Sequence, residues 1–261
     1  MTRGLSVFAL LTMGFAQVQQ DKNIAPAPSD RFPASWYPPD SDVTYTAAPQ
    51  TGAPYSGTMV TTFAFGGASF SESSFQARDS AGRMRTETNM PRLSADGGGP
   101  SGVIQAREVE ISDPVSHCSF VWTEPWLGSA DPVATVTCMP RTLRYAKGGL
   151  GSDAMRTKVT EEHPYPHQVR LTEPLGERSF GDVKASGVRV TITTTNPATN
   201  DLKTLVSELW YSAELKESIA LRPGIGSGVP SFELTNVHRG ESDPTLFYPP
   251  TGYKIRPLGS N

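Results

Sequence analysis

The chain has 261 residues, a formal net charge of −3 and 19% charged residues. A mildly acidic chain with dispersed charges lacks the basic stripe that phosphate binding requires, so we expect no nucleic-acid partner. The 24 Gly and 23 Pro residues favour many short strands with frequent turns over long helices.

Residues 1–16 have the three-part pattern of an export signal. Arg3 gives a positive start, residues 5–16 are mainly apolar, and Gly14 and Ala16 are small residues before a cut predicted after Ala16. A membrane-spanning helix needs roughly 20 apolar residues, and this run stops at about 12. We therefore predict an exported protein, periplasmic or secreted, with no stable membrane anchor.

Residues 17–57 are predicted to form a proline-rich arm. Seven prolines fall within it, and proline resists both helix and central strand. Trp36 and Tyr37 also lie in the arm, where large aromatic side chains are rare if the segment is fully solvated. Two interpretations are open: these side chains pack on the flank of the domain, or they form a partner-binding motif. A β domain is predicted to follow over residues 58–258.

Alternation of apolar and polar residues predicts the strands of this domain. Val188, Val190 and Ile192 face one way, with polar residues between them, and residues 79–82 form a hairpin turn in which Gly82 is placed for positive φ. Many consecutive hairpins of this kind predict a mainly β fold. We expect a single antiparallel meander of about ten strands, curled as an open half-barrel, with little helix.

The sequence of one predicted central strand calls for an ion pair. Glu208 shares a face with Val206 and Trp210, so it is surrounded by apolar side chains. We therefore expect a partner such as an arginine on a neighbouring strand.

Cys118 and Cys138 are the two cysteines of the chain, and we predict that they form a disulfide. Two strand-like runs, 117–123 and 133–139, flank a turn-like stretch centred on Gly128. A hairpin folded there places the two cysteines opposite each other. The alternative is a metal-binding or catalytic thiol pair.

The common hydrolase motifs are missing. The sequence contains no GxSxG, SxxK or HExxH motif, so no catalytic residue is predicted, and no cofactor is predicted either. His163 and His167 have the spacing of a helical zinc pair, but Pro164 and Pro166 oppose a helix. We therefore predict no metal site.

Four aromatic residues suggest that the domain binds an apolar ligand. Trp122 and Trp210 lie in strand runs, Trp126 follows Pro125 at a hairpin end, and Phe232 lies on a late strand. An aromatic-lined concavity on a curled sheet would bind an apolar small molecule or lipid. The alternative is that these side chains fill the core.

Two resemblances accompany these patterns. A group of uncharacterised secreted bacterial proteins is similar to this chain over residues 78–87, 113–115, 175–187, 208–215, 232–237 and 243–250. The succession of strands ending in Phe247-Tyr-Pro-Pro250 also resembles the periplasmic lipoprotein-carrier (LolA-like) superfamily. That second resemblance implies an open half-barrel of antiparallel strands over a small helical lid. It covers roughly residues 58–256, and neither group supplies a catalytic residue.

Three functional hypotheses follow from the sequence. The leading one is non-enzymatic binding of an apolar ligand or partner segment on the curved sheet. The second is a structural or interaction module of the cell envelope that docks through the arm at Trp36 and Tyr37. The third is an unrecognised hydrolase, which would need a histidine or a carboxylate pair to line a pocket.

Overall fold

The structure, a computed structural model, describes residues 32–38, 44–45, 49–65, 67–93, 103–125, 131–140, 144–145, 157–224 and 229–258. The predicted export signal, the predicted turn centre Gly128 and Trp126 lie outside these ranges. Among the described residues, no helix is long and apolar enough to cross a membrane.

The described residues form fifteen strands and two short 3-10 helices, at Ala34–Trp36 and Pro244–Phe247. The strands are β1 (Thr44–Tyr45), β2 (Tyr55–Phe65), β3 (Ala68–Arg78), β4 (Met84–Leu93), β5 (Val103–Asp113), β6 (Cys118–Glu124), β7 (Val133–Cys138), β8 (Arg144–Tyr145), β9 (Thr160–Glu162), β10 (Gln168–Phe180), β11 (Val183–Thr195), β12 (Leu202–Ser212), β13 (Glu217–Pro223), β14 (Ser231–Arg239) and β15 (Lys254–Pro257).

Thirteen strands form one sheet in the order β15-β7-β6-β5-β4-β3-β2-β14-β13-β12-β11-β10-β9. The sheet is curved and not closed, so the predicted mainly β, open architecture is confirmed. It contains more strands than the ten expected, and they do not form one meander. Two antiparallel runs, β2–β7 and β9–β14, meet where β2 pairs with β14, and β15 lies parallel to β7.

The strand register defines the two faces of the sheet. Directly opposed residues of neighbouring strands point to the same face, and successive residues of a strand alternate between faces. We call the face that carries Cys118 and Cys138 the disulfide face. Strand pairing places Trp122 and Trp210 on this face and Phe232 on the other, the opposite face.

The predicted disulfide is confirmed. Cys118 and Cys138 are directly paired residues of β6 and β7, and their Cα atoms lie 4.0 Å apart. Around them lies the cysteine cluster, a buried apolar group on the disulfide face made of Val109, Ile111, Cys118, Phe120, Trp122, Ala134 and Val136.

The proline-rich arm packs against this cysteine cluster. Trp36 and Tyr37 are half-buried there, and the Tyr37 hydroxyl donates a hydrogen bond to the Ser116 carbonyl at 3.1 Å. The Phe32 ring stacks on Trp36 at 5.4 Å and contacts Phe120 at 5.6 Å. The arm aromatics therefore lie on the flank of the domain, and partner binding through them stays a prediction.

Two local predictions from the sequence are also confirmed. Gly82 has φ +87° in the turn between β3 and β4, and its N–H donates to the Asp79 carbonyl at 3.1 Å. Glu208 pairs directly with Arg189 of β11, whose Nη2 lies 3.0 Å from the carboxylate.

A second core group surrounds Trp210. The indole ring covers Gly187 on β11, where a Cβ atom would lie only 2.6 Å from two ring carbons, so the glycine permits this close approach. Phe180 meets the same indole edge-on, with ring centroids 5.5 Å apart.

A buried arginine joins β3 to the turn between β12 and β13. Arg78 is 2% exposed; its Nε and Nη2 donate to the Ala53 carbonyl, its Nη2 also donates to Leu215, and its Nη1 lies 3.1 Å from Glu217. The guanidinium lies 4.9 Å above the Tyr55 ring. Burial raises the pKa of Tyr55, and burial also raises the pKa of Glu217 although Arg78 opposes that change.

Candidate functional site

An apolar row crosses four neighbouring strands on the opposite face. Val188, Leu209, Leu221 and Phe232 are successive cross-strand neighbours on β11, β12, β13 and β14. Val188 and Leu209 are buried, whereas Leu221 and Phe232 are half-buried. The cluster around Val188 and Leu209 draws its apolar members from the strands themselves. The row therefore has a buried floor and a partly accessible end.

The accessible end of the row continues onto the first half of the sheet. Phe232 pairs with Thr61 of β2, and Phe63 lies two residues further along the same face. The Phe63 ring stacks on Phe70 of β3 with centroids 4.9 Å apart, and Phe70 is 60% exposed. The apolar surface thus reaches solvent at the β2–β3 hairpin. We call Val188, Leu209, Leu221, Phe232, Phe63 and Phe70 the apolar row.

A separate cleft of about 650 Å³ opens next to the cysteine cluster. The strands contribute four polar residues and Ala106 to it, and the segments after β6 and before β15 contribute two prolines and a tyrosine. We call it the polar cleft, and its lining comprises Asn89, Gln105, Ala106, Arg107, Glu124, Pro125, Pro250 and Tyr253.

An ion-pair network organises the polar cleft. The Arg107 Nε and Nη2 donate to Glu124 Oε2 at 3.0 and 2.6 Å, and its Nη1 donates to Glu87 at 2.7 Å. Arg85 Nε donates to the other oxygen of Glu87 at 2.7 Å. Trp122 Nε1 donates to Glu124 Oε1 at 2.7 Å. Since both carboxylates are held from two sides, the network fixes the position of each group.

The network also determines the charge state of Glu124. Burial favours a higher pKa, but the hydrogen bonds from Trp122 and Arg107 outweigh it and hold the pKa of Glu124 below its ordinary value. The hydrogen bonds that Arg107 donates to Glu124 in turn raise the pKa of Arg107. The pair therefore stays fully ionised at neutral pH.

Replacing Glu124 with glutamine should remove a stabilising contribution that depends on pH. Because the folded-state pKa is depressed, the contribution is present above the ordinary value of 4.5 and is lost as the pH falls through the folded-state pKa. We expect Glu124→Gln to cost roughly 1 kcal/mol at pH 7, since part of the group is screened by solvent. Urea unfolding of both proteins between pH 7 and pH 3 measures the difference. A difference that grows in acid would contradict the assigned ion pair.

A second cleft, of about 710 Å³, lies between the tip of the β10–β11 hairpin and β14. Its lining includes His238, Asp182 and Glu233. Arg239 binds Asp182 at 2.6 Å, and Arg222 binds Glu233 at 3.3 Å. The hydrogen bond from Arg239 holds the pKa of Asp182 low, whereas general acid–base catalysis favours a pKa near the working pH. The hydrolase hypothesis stays a prediction; of the histidines that it could use in a pocket, His238 lines this cleft.

The histidine pair with zinc-like spacing, which we did not predict to bind metal, lies in an exposed loop. His163 Nε2 lies 3.4 Å from a Glu161 oxygen, and both side chains are more than half exposed. Among the residues that the structure describes, no group of three or more His, Cys, Asp or Glu side chains could hold a metal ion.

The structure does not bring the four predicted ligand-binding residues together. Trp122 is 2% exposed in the cysteine cluster, and Trp210 is 6% exposed in a different cluster on the same face. Phe232 lies on the opposite face, and Trp126 is outside the described residues. Ligand binding by this set stays a prediction, with Phe232 its member in the apolar row.

Sequence reasoning missed most of both candidate sites. No local pattern in the sequence indicates that β2 lies beside β14, the pairing that brings Phe63 near Phe232. Arg107 and Glu124 are 17 residues apart, and only the β5–β6 register makes them direct neighbours. A search for opposite charges at equal distances from the turn between β5 and β6 would have found that pair.

Comparison with family models gives no match, and comparison with curated proteins gives none. Among solved structures, the chain is similar to a DUF1329 family protein from Desulfovibrio piger at 10% sequence identity. The match covers 75% of this chain and 89% of that one, with a TM-score of 0.17. So distant a likeness carries no argument about function. The resemblance to the lipoprotein carriers stays a prediction.

Proposed function

We propose that this protein is a non-enzymatic binding protein that holds an elongated apolar ligand on the opposite face of its sheet. The observation that carries the proposal is the apolar row, which crosses β11 to β14 and continues onto β2 and β3. Three spacings between neighbouring strands separate Val188 from Phe232, which corresponds to roughly 14 Å. A ligand that covers the whole row must therefore be long and narrow.

The accessible members of the row would contribute most of the free energy of ligand binding. Phe70 is 60% exposed, and Phe63 and Phe232 are half-buried, so each has apolar area left to cover. Completing the burial of one such side chain contributes on the order of 1–2 kcal/mol. Contiguous exposed apolar surface of this kind is typical of a binding site, whereas scattered apolar residues need no explanation.

A fluorescent fatty acid tests this proposal. Titration of the purified full chain with dansyl-undecanoic acid should give saturable binding. Phe70→Ser and Phe232→Ser should each raise the Kd at least about tenfold, because 1.4 kcal/mol corresponds to a factor of ten. Mass spectrometry of an organic extract of the purified protein would identify any ligand carried from the cell.

Leu202→Ser is the matched control. Leu202 is 68% exposed on β12, but it lies on the disulfide face because it pairs with Thr195. Its replacement should leave the Kd unchanged, and urea unfolding verifies that all three variants fold. Absence of saturable binding, or equal weakening by Leu202→Ser, would rule the proposed site out. Binding of an apolar peptide in place of the fatty acid would identify a partner segment as the ligand.

A further inference from the structure

We infer that the polar cleft binds a neutral saccharide. This site is separate from the apolar row, because the side chains of Asn89, Arg107 and Glu124 lie on the disulfide face. The inference therefore goes beyond the proposed function and does not depend on it.

The charge of the cleft argues against an ionic ligand. Arg85 and Arg107 carry two positive charges, and Glu87 and Glu124 carry two negative ones, so the network is neutral overall. An anion approaching Arg107 would meet Glu124 within 2.6 Å of the same guanidinium. A cation approaching Glu124 would meet Arg107 in the same way. Neither ion would find an unpaired charge of opposite sign, which an ionic ligand needs to offset the cost of its own desolvation.

The hydrogen-bonding groups of the cleft match hydroxyl groups. Arg107 has five N–H donors, and its contacts to Glu87 and Glu124 use three of them. Asn89 and Gln105 are exposed amides, each able to donate and to accept. A fully apolar ligand would remove these groups from water without replacing their hydrogen bonds, which costs free energy. A hydroxyl both donates and accepts, so a ligand rich in hydroxyls satisfies all three side chains.

The remaining lining supplies contact surface for the carbon-bound face of a sugar ring. Pro125, Pro250 and Tyr253 line the cleft together. The Tyr253 hydroxyl donates to the Thr123 carbonyl at 2.9 Å, and its ring meets Trp122 edge-on at 6.2 Å. The tyrosine ring is thus fixed before any ligand arrives, which lowers the entropy cost of binding. A rigid apolar surface beside convergent polar groups is the usual composition of a small-molecule site.

A glycan microarray tests the inference. The labelled full chain would be applied to neutral gluco-, galacto-, manno- and chito-oligosaccharides and to acidic glycans, and the best neutral ligand would be titrated by calorimetry. Asn89→Ala and Gln105→Ala should each weaken binding at least about fivefold. Both side chains are exposed, so the urea midpoints of the variants should equal that of the unmodified chain.

Glu110→Ala is the control for position. Glu110 is exposed on β5, the strand that carries Gln105 and Arg107, but its pairing with Val121 places it on the opposite face. The Glu110→Ala variant should bind the saccharide with the affinity of the unmodified chain. The Phe70→Ser variant should do the same, because Phe70 belongs to the apolar row and not to the polar cleft. Three results would each overturn the inference: no neutral saccharide bound at millimolar concentration, unchanged affinity in both amide variants, or preference for acidic glycans.

Discussion

Replacing Arg78 with methionine should lower the free energy of unfolding by about 3–5 kcal/mol, the range for breaking a buried ion pair from one side. The substitution removes the donors to the Ala53 and Leu215 carbonyls and leaves the Glu217 carboxylate without its cation. An unsatisfied buried acceptor retains its full desolvation cost. Lysine should not restore the wild-type value, because its ammonium group cannot reproduce the planar fork. Urea unfolding at pH 7 gives the measurement.

The double variant Arg78→Met/Glu217→Gln separates the ionic part of this effect from the rest. Burial already raises the pKa of Glu217, and loss of Arg78 raises it further. A carboxyl group with a raised folded-state pKa stabilises the fold at low pH and loses that contribution as the pH rises through the raised value. The deficit of Arg78→Met should therefore shrink between pH 7 and pH 4, whereas the double variant should show no such recovery. Equal deficits at both pH values would show that the carbonyl contacts alone matter.

Local rules predicted much of the fold. The turn at Gly82 was predictable because a tight hairpin needs a residue that tolerates positive φ. The cysteine pairing was predictable because two strand runs of similar length flank one turn. Glu208 revealed its need for a partner because Val206 and Trp210 flank it on its face of β12, and Arg189 supplies that partner. Each of these three features depends on residues that are close in sequence or share one hairpin.

Other features depend on contacts that are distant in sequence. β10 was not predicted, because Pro174 and Gly176 interrupt its alternation; the strand accommodates them with a register shift at that point against β11. The pairing of β2 with β14 joins residues 55–65 to residues 231–239, and no local pattern indicates that the two antiparallel runs meet there. The site follows the same rule. The apolar row exists only because six separate strands align their register.

Different segments pack on the two faces of the sheet, and this difference determines where we expect each ligand to bind. On the disulfide face, the arm and the segment before β15 pack on the cysteine cluster, leaving the polar cleft beside Tyr253. On the opposite face, Phe70 is exposed and the apolar row draws its members from the strands alone. The curved sheet thus carries the polar cleft on one face and the apolar row on the other, and the two proposed ligands match these two sites in chemistry.

Removing the disulfide, in the variant Cys118→Ala/Cys138→Ala, should lower the free energy of unfolding by about 3 kcal/mol. The bond closes a loop across a sequence separation of 20 residues, so its main effect is to restrict the unfolded chain. The loss of stability should appear first at one edge of the sheet. β7 lies next to the edge strand β15, and that edge pairing spans only Lys254–Pro257. Hydrogen exchange in β7 and β15 should therefore accelerate more than exchange in β11 and β12, since local openings follow local stability.

Reductant provides the matched control for this prediction. Dithiothreitol should lower the urea midpoint of the wild-type protein to that of the double alanine variant, and it should leave the variant unchanged. Reduction should also loosen the arm, because Phe32 and Trp36 pack on Phe120 of the same cluster. Protease cleavage near residues 32–38 should then become faster in the reduced protein. The contrary result would be a disulfide-free protein that keeps the wild-type urea midpoint and whose arm keeps its protease resistance. The cysteine cluster would then be stable without the covalent bond. Packing alone would hold β7 and the arm in place.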